Sequence, residues 1–307
     1  MTERATQTEW ILFVILGLAW GSSYLFIKIA VDDFGTFTLI ALRLGIGAAF
    51  LWTVARLSRV TFPRQPRLYG HLVVMAMVNI VLPFALITWA EQSVDSAVAS
   101  ILNSTVPLWV IVIAPFFLHD EPIRVNGLVG LAVGFLGVVV LTSRGLTGVS
   151  SDLAGEIALL GSSLCYAIGG VYARRNVRGV RPMIPAVIQV TFALVITATI
   201  ALLFEHPLDS RPAADAVFAV VWLGLLGSGL AYVLYFRLLS RWGATRTSMV
   251  AYLLPIVGIV LGYLVLGEPI DARLILGTVL VVAGVGLVNS RFGRRRLFGR
   301  VPPVEAV

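Results

Sequence analysis

Long apolar runs alternate along the chain with short clusters of charge, proline or glycine. A helix needs about 20 apolar residues to cross a bilayer. By that measure the runs predict ten spans, near 10–31, 37–57, 68–90, 96–118, 124–143, 154–174, 184–204, 216–239, 245–266 and 272–290. The fourth and ninth open on small polar stretches, "SVDSAVASILNS" and "WGATRTSMVAY", before turning apolar. A short polar leader precedes the first run, which lacks a small-residue cleavage site, so a retained helix is expected there rather than a removed signal peptide. The expected fold class is all-α, a polytopic membrane protein with about ten transmembrane helices.

The pattern also repeats. Glu121-Pro122-Ile123 returns as Glu268-Pro269-Ile270, 147 positions on, and the same offset sets Gly130 on Gly277, Gly137 on Gly284 and Ser143-Arg144 on Ser290-Arg291. Upstream, an offset of 148 brings Pro107 onto Pro255 and Ser100 onto Ser248. An offset of 146 brings Trp20 onto Tyr166, Lys28 onto Arg174 and Arg43 onto Gln189. The chain therefore reads as two five-helix repeats, 1–147 and 148–293, followed by a basic tail at 294–307. Because five is odd, the second copy is expected to enter the membrane inverted, with Glu121 facing the cytoplasm and Glu268 the outside. Inverted repeats are a recurrent plan of secondary transporters, in which two halves rock about a central site and expose it alternately.

Composition agrees with a chain that is nearly all membrane: 58% hydrophobic, 13% charged, mean hydropathy +0.94. The net charge of +7 changes the picture only through its distribution. With both termini on one side, that side collects Arg56, Arg59, Arg64 and Arg67, then Arg174, Arg175, Arg178 and Arg181, then Arg237, Arg241 and Arg246, and the terminal "RFGRRRLFGR". Only Arg144, Arg211 and Arg273 fall opposite. Basic loops resist translocation, so both termini are expected in the cytoplasm. No aromatic-laced basic domain exists, which argues against nucleic acid as a partner. The expected partners are a small-molecule substrate and the bilayer, with anionic lipids at the cytoplasmic face under the tail. A monomer is expected, with no cofactor. An arginine-rich chain with a single lysine, Lys28, hints at a GC-rich bacterial genome and hence at the plasma membrane, the bacterial inner membrane.

These residues resemble a known family. "LAWGSSYLFIKIA" (Leu18–Ala30), the arginine in "LIALRLGIGAAF" (Leu39–Phe50), "GLVGLAVGFLGVVVL" (Gly127–Leu141) and the paired "LNSTVPLWVIVIAPFFLHDEP" (Leu102–Pro122) and "AYLLPIVGIVLGYLVLGEP" (Ala251–Pro269) are similar in order and spacing to the ten-helix EamA-type branch of the drug/metabolite transporter superfamily. The resemblance implies a carrier of small metabolites, amino acids among them. It also implies a cavity surrounded by the first, third, fourth, sixth, eighth and ninth helices, with the fifth and tenth apart.

Polar side chains in the hydrocarbon layer are costly unless they face a partner or a wet cavity. The fourth span sets Ser96, Ser100, Asn103 and Pro107 on one helical stripe, and its counterpart sets Thr245, Ser248, Tyr252 and Pro255 likewise. The plainer meaning of such a stripe is close helix packing through small hydroxyl residues. Pro107 and Pro255 each remove a backbone donor and favour a kink, so matched gates are expected there. Trp20, Ser23, Asn79, Tyr166 and Tyr232 lie inside spans that the resemblance assigns to the cavity, and the aromatics among them suit planar or apolar substrate groups. The expected substrate-binding set is thus Trp20, Ser23, Asn79, Ser100, Asn103, Tyr166, Tyr232, Ser248 and Tyr252.

Lys28 and Arg43, near the outer ends of their helices and close to Asp32 and Asp33, read as snorkelling or salt-bridged anchors in preference to a carboxylate clamp. Gln189 reads as a helix–helix bond. The Glu-Pro pairs read as chain reversals whose acid favours the start of the following helix. All 16 acids lie at span ends or in loops, which disfavours proton coupling through a buried carboxylate and leaves facilitated export as the expected mechanism. A proton-coupled antiporter is the alternative. A polytopic membrane enzyme would need a nucleophile, metal cluster or acid–base pair, yet His71, His119 and His206 are scattered.

Overall fold

The computed structural model describes residues 7–118, 123–143, 152–177, 179–207, 212–289 and 296–298. Ten helical segments run through them, each near its expected span. These are α1 (Gln7–Ala30), α2 (Thr36–Leu57), α3 (Pro66–Ala90), α4 (Ser96–Phe117), α5 (Val125–Thr142), α6 (Leu153–Asn176) and α7 (Met183–Phe204). Next comes α8, made of Ala214–Trp222, a π-helical stretch Leu223–Leu230 and Ala231–Thr247. A 3₁₀ turn, Ser248–Tyr252, leads into α9 (Leu253–Leu261 with a π-helical end, Gly262–Leu266), and α10 (Ala272–Asn289) follows. Among the described residues eight helices are long and apolar enough to cross a membrane, and two shorter apolar ones join them. The protein is an all-α, multi-pass membrane protein. Its one described extended pairing joins Ile123–Arg124 to Arg296–Phe298.

One boundary differs from expectation. The ninth span does not begin at 245, because α8 stays helical to Thr247 before the 3₁₀ turn. No proline stands in "RWGATRT" to stop it. The irregular turns also have causes. In α3, Met77–Val81 is π-helical just ahead of Pro83, whose ring and missing N–H disturb the preceding turn. The offset of 148 carries that turn onto 225–229, inside the π-helical stretch of α8, although Ala231 replaces the proline.

Glycines set the closest helix contacts. Gly17 and Gly21 of α1 accept Leu253 and Val257 of α9, and a Cβ on Gly284 of α10 would fall on the backbone of Gly134 in α5. The α5–α10 pair packs chiefly on itself, α2 lies against α7 and α8, α6 against α3 and α4, and α4 against α9. Large apolar side chains remain on the perimeter: Leu57, Phe116, Val139, Leu203, Phe204 and Leu264 are all exposed. Such a belt suits lipid rather than water.

The helices alternate in direction, so their connections gather at two ends. One end carries Arg56, Arg59, Arg64, Arg174, Arg175 and Arg181, and is called here the arginine end. The opposite, carboxylate end carries Asp33, Glu91, Asp152, Glu205 and Glu268.

Candidate functional site

A cavity of about 930 Å³ enters the bundle from the arginine end, between the α6–α7 connection (Val177, Gly179, Val180, Pro182) and the end of α8 (Leu239, Trp242). It descends past Val110 and Ile111 of α4 to Ile27 of α1 and Ile87 of α3, both buried. Most of its wall is apolar. Polar groups are the minority, with Arg43, Asn79, Asn103 and Gln189 within and Asn126, Arg174 and Thr247 toward the mouth, which is the usual composition of a small-molecule site.

Seven of the expected residues lie on this wall: Trp20, Ser23, Asn79, Asn103, Pro107, Tyr166 and Tyr232. Trp20 meets Tyr232 edge-on, ring centroids 6.5 Å apart, and leans on Tyr235 at 5.3 Å. Asn79 sits in the π-helical turn of α3 and faces Gly169 of α6, where the missing side chain makes room for its carboxamide. Asn103 donates from Nδ2 to Ser162 Oγ at 3.0 Å, and Ser163 of α6 donates to the Leu102 carbonyl at 3.0 Å, so α4 is tied to α6 beside the cavity. Immediately after Asn103 the helix breaks in a turn at Ser104 and Thr105 before Pro107. Pro255 likewise follows the 3₁₀ turn Ser248–Tyr252.

The other expected residues stand elsewhere. Ser100 is fully buried, donates to the Ala97 carbonyl at 2.7 Å and packs on Gly258 of α9. Tyr252 lies beside Gly286 of α10, and Pro255 is buried off the cavity wall. The Ser248 side chain lies outside the described residues, as does Glu121. Every residue of Ser96–Asn103 is buried, so the stripe on α4 marks no single functional face.

Two cations depart from the anchor reading. Lys28 Nζ donates to the carbonyls of Glu91 (2.7 Å) and Val94 (3.0 Å), closing the end of α3 rather than pairing with Asp32 or Asp33. Arg43 does not snorkel: it is 3% exposed and faces the cavity, with Nε donating to Ser228 Oγ at 3.1 Å and Cζ 4.2 Å above the Phe84 ring. Tyr24, Tyr235 and Gln189 also reach the wall and were not among the expected site residues. Gln189 matched Arg43 in the repeat alignment, and that correspondence was the one available signal that both positions face inward.

At the carboxylate end the cavity is closed. Glu205 accepts from Phe37 N (2.9 Å), Thr38 N (2.7 Å) and Thr38 Oγ1 (2.8 Å), so a residue ending α7 caps α2. Glu268, after α9, accepts from Ser96 N (2.7 Å) and Ala97 N (2.9 Å) and so caps α4. The acid of the second Glu-Pro pair thus serves another helix's positive end rather than that of its own successor. Asp33 accepts from Ala213 N at 2.8 Å, and Ser93 donates to Asp152 at 2.7 Å. Glu91 is wholly buried, and among the described residues neither of its carboxylate oxygens has a hydrogen-bond partner.

Comparison with known proteins bears on this arrangement. The EamA-like transporter family matches the chain twice, over residues 8–143 and 153–290. The chain is 27% identical to YoaV of Bacillus subtilis, named as a transporter, over 91% of this chain and 96% of that one. It is 25% identical to the protein PagO of Salmonella typhimurium, covering 90% and 91%. It is 28% identical to YedA of Escherichia coli, named as an inner membrane transporter, covering 89% and 88%. A crystal structure at 20% identity superposes with a TM-score of 0.70 over 92% of this chain and 96% of that one, and shares the fold. With the double match running almost from end to end of a ten-helix bundle, this chain belongs to the EamA-like transporter family.

Proposed function

We propose that the protein exports small organic metabolites, amino acids or related compounds, across the bacterial inner membrane by alternating access. The observation that carries this reading is the cavity. At about 930 Å³ it matches the size range of small-molecule sites, roughly 300–1,000 Å³, and it is open at one end and sealed at the other. With the arginine end in the cytoplasm, as the distribution of basic residues favours, the described conformation receives substrate from inside. The contact scheme supports two inverted five-helix copies: α1 packs on α8 and α9, α6 packs on α3 and α4, and α4 with α9 and α5 with α10 form like pairs. Pro107 and Pro255, each placed after a break in its helix, serve as the bending points. Transport runs down the substrate gradient, because among the described residues no carboxylate lines the cavity wall.

Counterflow into liposomes holding the purified protein, screened over amino acids, nucleosides, sugars and amphiphiles, tests the reading. Exchange of at least one amino acid or close relative without a proton gradient is expected, and no flux across the whole panel would overturn it.

One observation favours a second reading, proton-coupled exchange. The Glu91 carboxylate is buried at the floor side of the seal with no hydrogen-bond partner among the described residues, where an opening of the carboxylate end would hydrate it. Flux that requires a pH gradient and that Glu91→Gln uncouples would select this mechanism and leave the carrier intact.

A further inference from the structure

We infer that Arg43 reads a carboxylate, and that the transported compounds carry one such group beside an apolar or aromatic body. This rests on the carrier reading above and names the substrate class for the same cavity.

Arg43 stays protonated at any physiological pH. Its side chain is 3% exposed, and the exposure it keeps is on the cavity. Its described contacts are the Ser228 hydroxyl at Nε and the Phe84 ring beneath its plane. Neither contact carries a negative charge. Glu91 acts on it through space, without a bridging hydrogen bond. A buried cation with no anion in hydrogen-bonding contact is expensive, and the cost falls when a ligand supplies the charge.

The two terminal nitrogens are the part of Arg43 that the protein leaves for a ligand. Together they form the fork that matches a carboxylate in the bidentate manner. Gly227 keeps their space open: a Cβ there would stand 3.2 Å from Nη2 and 2.9 Å from Ser23 Oγ. Gly227 and Ser228 both belong to the π-helical stretch of α8, an irregularity often met at functional sites. Tyr24, Tyr166 and Tyr232 line the same cavity and stand near enough to feel the guanidinium charge. Their hydroxyls supply further donors for an anionic head, and their rings, with Trp20, supply the flat wall for its body.

A single carboxylate fits better than a phosphate ester. Lys28 is engaged by two backbone carbonyls. Arg174, the other arginine on the wall, stands about 12 Å along α6 from Tyr166 and is engaged elsewhere. Among the described wall residues, one available cation suits a group of one negative charge.

The test uses the full chain in liposomes and a matched set of probes: phenylalanine, 3-phenylpropionate, phenylalaninamide, phenethylamine and phenyl phosphate, with an equivalent leucine set. Binding is read separately by tryptophan fluorescence. Wild type is expected to take the two carboxylates of each set and to reject the amide, amine and phosphate. Arg43→Gln is expected to lose roughly tenfold to a hundredfold in carboxylate affinity, and Arg43→Lys to recover part of it. Should Arg43→Gln fail to fold, Ser228→Ala and Gly227→Ala, which leave the charge but move it, are expected to lower the preference for carboxylate over amide several-fold. Uptake of amides or amines equal to that of acids, unchanged selectivity in all of the variants, or preference for the phosphate would overturn the assignment to Arg43 while leaving the carrier standing. Absence of flux and binding for every compound, here and in the wider counterflow panel, would overturn both.

Discussion

The two ends of the bundle are built from different chemistry. At the carboxylate end, side chains cross between the two halves of the chain to reach backbone N–H groups: Glu205 to the start of α2, Glu268 to the start of α4 and Asp33 to the start of α8. These are charge-assisted bonds that satisfy donors no helix can satisfy internally. At the arginine end the described side-chain contacts include pairs between neighbouring helices. Trp242 Nε1 donates to Glu9 at 2.8 Å and its ring meets Trp10 at 5.0 Å, while His71 Nδ1 pairs with Tyr172 OH at 2.7 Å. The difference teaches that closure depends on where helix N-termini meet acids, and that the apolar interior alone does not decide which end is shut.

Removing the acids breaks that difference most strongly. Glu268→Ala leaves two buried N–H groups unpaired and is expected to cost the closed form about 2–3 kcal/mol. Hydrogen exchange at Ser96 and Ala97 would accelerate by about a hundredfold; unchanged protection at both amides would show that Glu268 holds nothing shut. Next in size are the cavity aromatics. Trp20→Ala and Tyr232→Ala are each expected to reduce substrate affinity by about tenfold with little change in the amount of inserted protein, and wild-type kinetics in both would move the site elsewhere. Pro107→Ala and Pro255→Ala sharpen the comparison further. Restoring a backbone donor should straighten α4 or α9 and slow turnover a few-fold at unchanged affinity, so a change in affinity alone would assign the prolines to binding.

The smallest effect is expected from Asp152, which is exposed and whose carboxyl lies below its ordinary value because Ser93 and the N–H groups of Ala154 and Gly155 donate to it. A depressed folded value means stabilisation that is present above the unfolded value, near 3.8, and lost as pH falls through the folded one. Asp152→Asn should therefore leave the midpoint of thermal unfolding slightly lower at neutral pH, with the gap to wild type closing in strong acid.

The helices were legible because lipid on one side and neighbours on the other force long apolar runs whose ends must be polar. The Trp20, Tyr166 and Tyr232 positions could be placed on the cavity wall because they fall inside spans that the family resemblance assigns to the cavity. Arg43 was misjudged for a physical reason. Its distance along α2 allows either snorkelling or burial, and the choice is made by Gly227 and Ser228, which arrive from the other half of the chain. Ser100 misled in the opposite way. A stripe of small polar residues marks a helix face, but the Ser96–Asn103 part of α4 is covered all round, and Ser100 meets Gly258 of α9 instead of the cavity. Glu268 was expected at the start of the helix that follows it and instead caps α4, because the helix it serves is set by tertiary packing that no local pattern carries.

The opening of the bundle first to one side and then to the other is tested most directly by cysteine accessibility. In a Cys165→Ala background, Val180→Cys samples the cavity mouth and Ile27→Cys its floor. A membrane-impermeant maleimide applied to oriented vesicles should label Val180→Cys from the cytoplasmic face alone. Under transport of substrate, Ile27→Cys should become reactive from the opposite face while Val180→Cys loses reactivity. Labelling of both positions from the same face under every condition, with or without substrate, would contradict alternating access.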